Sequence, residues 1–80
     1  MIEEYDVVEL TEEMTTDLKI GTHGTVVMVY PASPPAYEVE FFNDEGKTIA
    51  VETVRGDRLR KIWAAPQMAA KGAGVDIKNV

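Results

Sequence analysis

Short runs of alternating apolar and polar residues, separated by turn-forming residues, dominate the first 63 positions of this 80-residue chain. The strongest run is Thr25–Tyr30, which is almost entirely β-branched or aromatic, as strands prefer. Residues 36–41 alternate strictly, which places Glu38 and Glu40 toward water and the apolar residues between them toward a core. The next four residues, Asn43–Gly46, have the composition of a hairpin turn. This period of two restricts the chain to a β fold.

Five strands are predicted, over residues 5–10, 25–30, 36–41, 47–53 and 61–63. A long loop follows the first strand, and Met14 or Leu18 is expected to fold back from it onto the sheet. Three prolines exclude regular structure from residues 31–35. Residues 54–60 are predicted to form one short helical turn before the last strand. The pattern therefore predicts an all-β domain whose sheet curls into a partly open barrel.

The chain has room for one domain only. Residues 1–63 are expected to form the barrel domain, and residues 64–80, which have no regular apolar period, a flexible C-terminal tail. The predicted core residues are apolar and lie on the inward-facing positions of the runs: Val8, Leu10, Val26, Met28, Tyr37, Val39, Phe41, Ile49, Val51, Leu59 and Ile62. Phe41 and Phe42 are adjacent, so one of them must lie outside this core.

The chain lacks most of the side chains on which catalysis depends. It has no cysteine, one histidine and one serine, and no motif surrounds Ser33. His23 lies between glycines and is interpreted as an exposed turn residue. We therefore expect no enzymatic activity, no catalytic residues, no metal site and no cofactor. The absence of cysteine and of an apolar leader or span favours a soluble, cytoplasmic protein.

Charge is unevenly distributed along the chain, whose formal net charge is −6. Residues 1–18 contain seven acidic residues and no base, whereas residues 55–61 contain four bases and one acid. One interpretation is ordinary solvated surface, and the other is an acidic face and a small basic face that contact partners. Basic and aromatic side chains are common at interfaces, and the candidate binding residues are Tyr30, Phe42, Arg55, Arg58, Arg60, Lys61 and Trp63.

Four segments together resemble a small bacterial family that is known only as domain of unknown function 4926. They are Glu4–Glu12, Gly21–Val27, Tyr37–Phe41 and Asp57–Arg60, and the resemblance extends over residues 3–62. It implies a small five-stranded SH3-like partly open barrel, similar to the terminal barrel of nitrile hydratase β subunits, with no established activity. It also implies a loose association with two-gene arrangements of the toxin–antitoxin type. The proline-rich loop and the tail depart from the family pattern.

Three functions remain open from the sequence. The first is a non-enzymatic protein-binding module, antitoxin-like or accessory, that binds a basic partner through its acidic surface. The alternative is RNA or single-stranded nucleic-acid binding through a basic and aromatic patch at Arg55–Trp63. The third is a homodimer formed through strand edges, with Phe42 or Trp63 at the interface. No membrane partner is expected.

Overall fold

The computed structural model describes residues 1–66. The elements, in chain order, are β1 (Val7–Leu10), β2 (His23–Tyr30), β3 (Ala36–Phe42), β4 (Thr48–Arg55), a 3-10 turn (Gly56–Arg58) and β5 (Leu59–Trp63). The predicted flexible tail begins at residue 64 and lies outside the described residues from position 67 onward. Within residues 1–66, no helix has the length and apolar character needed to cross a membrane.

The five strands form one antiparallel sheet in the order β4-β3-β2-β1-β5. Successive strands pair as neighbours up to β4, and the chain then crosses through the 3-10 turn to place β5 beside β1. The sheet is not closed, because β4 and β5 are its two edges in the described residues. The predicted all-β class, five strands and turn before the last strand are confirmed.

Strand boundaries differ from the predictions by one or two residues at six of the ten strand ends. β1 begins at Val7 and not at residue 5, because Tyr5 adopts a left-handed conformation with φ of 73° that interrupts the extended chain. β2 extends back to His23, which is therefore a strand residue and not a turn residue. The helical turn is limited to three residues, and Leu59 already belongs to β5.

The core lies on one face of the sheet, which we call the inner face. Residues directly opposite one another on paired strands share a face, so the register identifies its members. Seven predicted core residues are buried there: Val8, Leu10, Val26, Tyr37, Val39, Phe41 and Leu59. Leu18 and Val54 complete the core, and Leu18 confirms that the long loop folds back onto the sheet.

Four predicted core residues are exposed, namely Met28, Ile49, Val51 and Ile62. Irregularities in strand pairing explain three of them. Val26 pairs with Val39 but Met28 pairs with Glu38, so the extra residue Val27 turns Met28 to the opposite face. Ile49 and Ile62 are themselves the extra residues at such bulges in β4 and β5.

Val51 is exposed for a different reason, which is the register of β4. It lies opposite Glu40, on the face away from the core, while Ala50 and Val54 lie opposite the core residues Phe41 and Tyr37. The prediction of an apolar inward face for Ile49 and Val51 was therefore wrong by one residue, which in a strand reverses every side chain.

The β3–β4 hairpin has the predicted turn. Gly46 adopts φ of 83°, a conformation that glycine takes without steric cost. The side-chain oxygen of Asn43 accepts hydrogen bonds from the N–H groups of Glu45 at 2.9 Å and Lys47 at 3.0 Å. Gly21 likewise adopts φ of 89°, whereas Gly24 lies inside β2 and does not have a positive φ.

Gly24 is required for packing, since it occupies an inner-face position opposite Phe41 and Val8. A Cβ atom at this position would lie 2.5 Å from Cγ1 of Val39 and 3.0 Å from Cδ1 of Phe41. The absence of a side chain on Gly24 therefore allows the two larger residues of β3 to pack against the backbone of β2.

Replacement of Gly24 by alanine is expected to lower the free energy of unfolding by about 1–3 kcal/mol, the usual cost of overpacking a core. Urea denaturation followed by circular dichroism measures the change. Gly46→Asn is the control, because no atom lies within 4 Å of the added Cβ and asparagine tolerates a positive φ. Equal stability of the Gly24→Ala variant and the wild type would contradict this packing role.

Candidate protein-binding surface

The sheet face opposite the core is solvent-facing, and we call it the outer face. It contains alternate residues of every strand, and the register aligns them in rows across the sheet. One row crosses all five strands and contains Thr48, Phe42, His23, Glu9 and Arg60. The next row crosses all five strands and contains Val51, Glu40, Thr25, Val7 and Trp63.

Two carboxylates occupy the middle of the outer face, on β3. The hydroxyl groups of Thr53 and Tyr30 donate to Oε1 of Glu38 at 2.7 and 3.2 Å, and the Thr48 hydroxyl donates to Oε2 of Glu40 at 2.6 Å. None of the ion pairs between described residues includes either glutamate. The two negative charges are therefore held in place by neutral donors and remain available to an external cation.

Large apolar side chains flank these carboxylates. Met28, directly opposite Glu38, is 49% exposed, and Val51, directly opposite Glu40, is 50% exposed. Tyr30 lies at the end of β2, and partial burial together with the neighbouring Glu38 carboxylate raises the pKa of its phenol. Together they form an exposed surface in which apolar groups alternate with fixed negative charge.

The four predicted basic binding residues do not form a free basic patch. Each has a carboxylate partner: Arg55 contacts Asp57 at 2.7 Å, Arg58 contacts Glu12 at 3.4 Å, Arg60 contacts Glu9, and Lys61 contacts Asp6 at 3.1 Å. Three of these acids belong to the acidic N-terminal run. They reach the basic residues because β1 pairs with β5. The two segments are therefore adjacent, and three bases of residues 55–61 pair with three of the seven acids of residues 1–18.

The three predicted aromatic binding residues lie far apart on the outer face. Tyr30 lies in the row that contains Ala36, and Phe42 lies at the opposite end of the β2–β3 pair. Trp63, which is 53% exposed, lies on β5 opposite Val7. The structure thus places Tyr30 beside the Glu38 carboxylate, and Trp63 on β5 together with Arg60, three strands away from β3.

Asp6 is a structural residue that the sequence interpretation assigned to the acidic face. Its side chain is only 1% exposed. It accepts hydrogen bonds from the N–H groups of Glu3 at 2.7 Å and Ala65 at 2.8 Å, and it pairs with the ammonium group of Lys61. Burial alone would raise the pKa of Asp6, but the hydrogen bonds from Ala65, Glu3 and Lys61 outweigh it and lower the pKa.

A groove of about 670 Å³ opens at the end of the sheet near His23 and Phe42. Its walls are the end of the β1–β2 loop and the β3–β4 hairpin, and its lining residues are Ile20, Gly21, Thr22, His23, Phe42, Asn43, Asp44, Gly46 and Ile49. The rings of His23 and Phe42 pack edge to face with centroids 6.3 Å apart. Nε2 of His23 lies 3.6 Å from Oε1 of Glu9.

Within residues 1–66, no three His, Cys, Asp or Glu side chains are grouped so as to hold a metal ion. The two polar features outside the salt bridges are the Glu38–Glu40 pair and the groove, and both are open surfaces bordered by exposed apolar side chains. Such surfaces bind other molecules by complementarity of shape and charge.

Residues 4–61 match the model of one protein family, which is described as a domain of unknown function (DUF4926). The match covers most of the chain and confirms the resemblance seen in the sequence. No curated protein and no solved structure matches the chain.

Proposed function

The chain belongs to this family of unknown function, and we propose that it is a non-enzymatic protein-binding module that uses its outer face to bind a basic partner protein. The single observation that supports this proposal most is the pair Glu38 and Glu40. These carboxylates lack a cationic partner in residues 1–66 and lie between the exposed apolar side chains Met28 and Val51.

The chemistry of the pair favours a protein surface that contains both lysine or arginine and apolar side chains. Burial of Met28 and Val51 against a partner would remove apolar area from water, which drives association. A cation placed between Glu38 and Glu40 would determine orientation and partner choice more than affinity. The net charge of −6 also accelerates the encounter with a basic protein.

Nucleic-acid binding through Arg55, Arg58, Arg60, Lys61 and Trp63 is the competing proposal. Affinity for nucleic acid comes largely from free bases that neutralise phosphates. Here each of the four bases is already within 4 Å of a carboxylate. Phosphate binding would have to break these ion pairs, so the geometry supports a protein partner.

The proposal predicts that Glu38→Gln with Glu40→Gln weakens binding of the partner about tenfold. Two exposed charge pairs at roughly 0.2–1 kcal/mol each account for a change of this size. Affinity purification of the wild-type chain from its native host supplies the partner, which is then identified, purified and titrated against both forms by calorimetry. Glutamine keeps the size of the side chain and its ability to accept the threonine hydroxyls, so the fold is expected to be unchanged.

The matched control is Glu4→Gln with Glu13→Gln, which removes the same charge from exposed positions outside the sheet. If the control weakens binding as much as the outer-face variant, only net charge matters and the proposed surface is wrong. Recovery of nucleic acid without a stoichiometric protein would support the competing proposal, and sensitivity of that binding to Arg58→Gln with Arg60→Gln would place it at the basic residues.

A further inference from the structure

The groove at the end of the sheet is preformed, because hydrogen bonds fix both of its walls. On one side, N–H of Gly21 donates to the carbonyl of Leu10 at 2.8 Å, and N–H of Leu10 donates to the carbonyl of Thr22 at 2.9 Å. On the other side, Asn43 closes the hairpin through its side chain and through its N–H, which donates to the carbonyl of Lys47 at 2.9 Å. A ligand would therefore enter without reordering the backbone.

Apolar and polar groups contribute about equally to the surface inside the groove. Ile20 is 69% exposed although it is aliphatic, and Ile49 is turned outward by the bulge in β4. Phe42 also lines the groove, and its ring packs edge to face against that of His23. Gly21 and Gly46 also line the groove, and nothing lies within 4 Å of the position that a Cβ would take on either. The volume of about 670 Å³ is within the usual range for ligand sites.

The charge of the groove selects among ligands. Apart from His23, Asp44 is the only acidic or basic lining residue, and it takes part in none of the ion pairs between described residues. The lining contains no lysine or arginine, so a phosphate or carboxylate ligand would meet no permanently charged cation. A ligand that combines an apolar group with a neighbouring positive charge complements both features.

We infer that this groove binds an extended peptide segment of the basic partner, in which a large apolar residue is followed by a lysine or arginine. The apolar side chain lies between Ile20, Phe42 and Ile49, and the basic side chain faces Asp44. This inference rests on the proposed function, since it assigns an anchor segment to the same partner, but it concerns a different part of the surface from Glu38 and Glu40.

Three capped dipeptides test the groove directly: acetyl-Leu-Lys-amide, acetyl-Leu-Glu-amide and acetyl-Gly-Lys-amide. Each is titrated to millimolar concentration into the ¹⁵N-labelled full chain while amide chemical shifts are recorded. We expect shifts concentrated at residues 20–23 and 42–46. Acetyl-Leu-Lys-amide is expected to bind about two- to fivefold more tightly than acetyl-Leu-Glu-amide, as one exposed charge pair predicts. Acetyl-Gly-Lys-amide is expected to produce no saturable shift.

Two variants assign the effect to named side chains. Asp44→Asn should remove the preference for lysine over glutamate and leave the leucine contact intact, and Ile20→Ser should weaken both leucine peptides. The inference is overturned if the shifts are absent, lie outside the groove, or are the same for the leucine and glycine peptides. Such a failure leaves the outer-face proposal standing if Glu38→Gln with Glu40→Gln still releases the purified partner, so the two ideas fail separately.

Discussion

Replacement of Asp6 by asparagine is expected to lower the free energy of unfolding by about 3 kcal/mol. The side chain is buried and receives two backbone N–H groups and the Lys61 ammonium group. Asparagine retains one oxygen that can accept a hydrogen bond. Its NH₂ group replaces the other oxygen and faces a second N–H donor, which is then left without an acceptor. It also leaves Lys61 without its counterion, and the loss of one partner from a buried pair is among the costlier single changes.

The same carboxylate predicts how stability changes with acid. The pKa of Asp6 in the folded chain lies below its ordinary value of 3.8, so the folded state favours the ionised form. The resulting stabilisation is complete above the unfolded pKa and is lost as the pH falls through the folded pKa. Wild-type stability should therefore fall below about pH 4–5, and the Asp6→Asn variant should show a smaller fall over the same range.

Urea denaturation from pH 3 to pH 7 measures both effects. Asp17→Asn is the matched control, because it makes the same chemical change at an exposed acid of the β1–β2 loop. The control should change stability by less than about 0.5 kcal/mol. Asp6 would have no structural role if its asparagine variant were as stable as this control, or if both variants lost stability in acid to the same extent as the wild type.

Asp6 also illustrates how much of the site the sequence could predict. Asp6, Val8 and Leu10 are two residues apart, and the period of a strand therefore places all three on the inner face. The sequence interpretation grouped Asp6 with the other acids of residues 1–18 and therefore did not assign it to the inner face. Its partners Lys61 and Ala65 lie 55 and 59 positions away along the chain, and no local pattern predicts that pairing.

The strands were predictable because alternation of apolar and polar residues is a local property of the sequence. The positions of the bulges were not predictable, because a bulge depends on how two strands pair. The inward positions of β3 were all predicted, since that strand alternates without interruption. Met28, Ile49 and Ile62 were misplaced because one extra residue in each strand changes which side faces the core. Among the exposed apolar residues of the two proposed surfaces, Met28 and Ile49 lie at or beyond these bulges, so the sequence alone placed them in the core.

The pairing of charges was likewise hidden until the topology was known. Residues 1–18 and 55–61 are separated by three strands in the sequence, but the fold places β1 directly beside β5. Arg58 and Arg60 thereby meet Glu12 and Glu9. The carboxylates that remain without partners on the outer face are those of β3, a strand that the charge distribution alone did not single out.

Replacement of Leu18 by alanine is expected to lower the free energy of unfolding by about 2–5 kcal/mol, the range for removal of a buried leucine side chain. Leu18 is 1% exposed, although it belongs to a loop that is mostly polar. Its N–H donates to the carbonyl and the hydroxyl oxygen of Thr15, both at 3.1 Å, and its carbonyl accepts from N–H of Met14 at 2.8 Å. This tight turn directs the leucine side chain into the core.

Ile20→Ala is the control for Leu18→Ala, because it truncates a similar aliphatic side chain two residues later that is largely exposed. Urea denaturation should show a loss of less than about 0.5 kcal/mol for Ile20→Ala. Because Leu18 fixes the loop that leads to the groove, Leu18→Ala should also accelerate amide hydrogen exchange at residues 20–22 relative to the strands. Equal stability of the two variants would mean that the loop does not depend on Leu18 for its position, and the groove would then lack the rigid wall on which peptide binding depends.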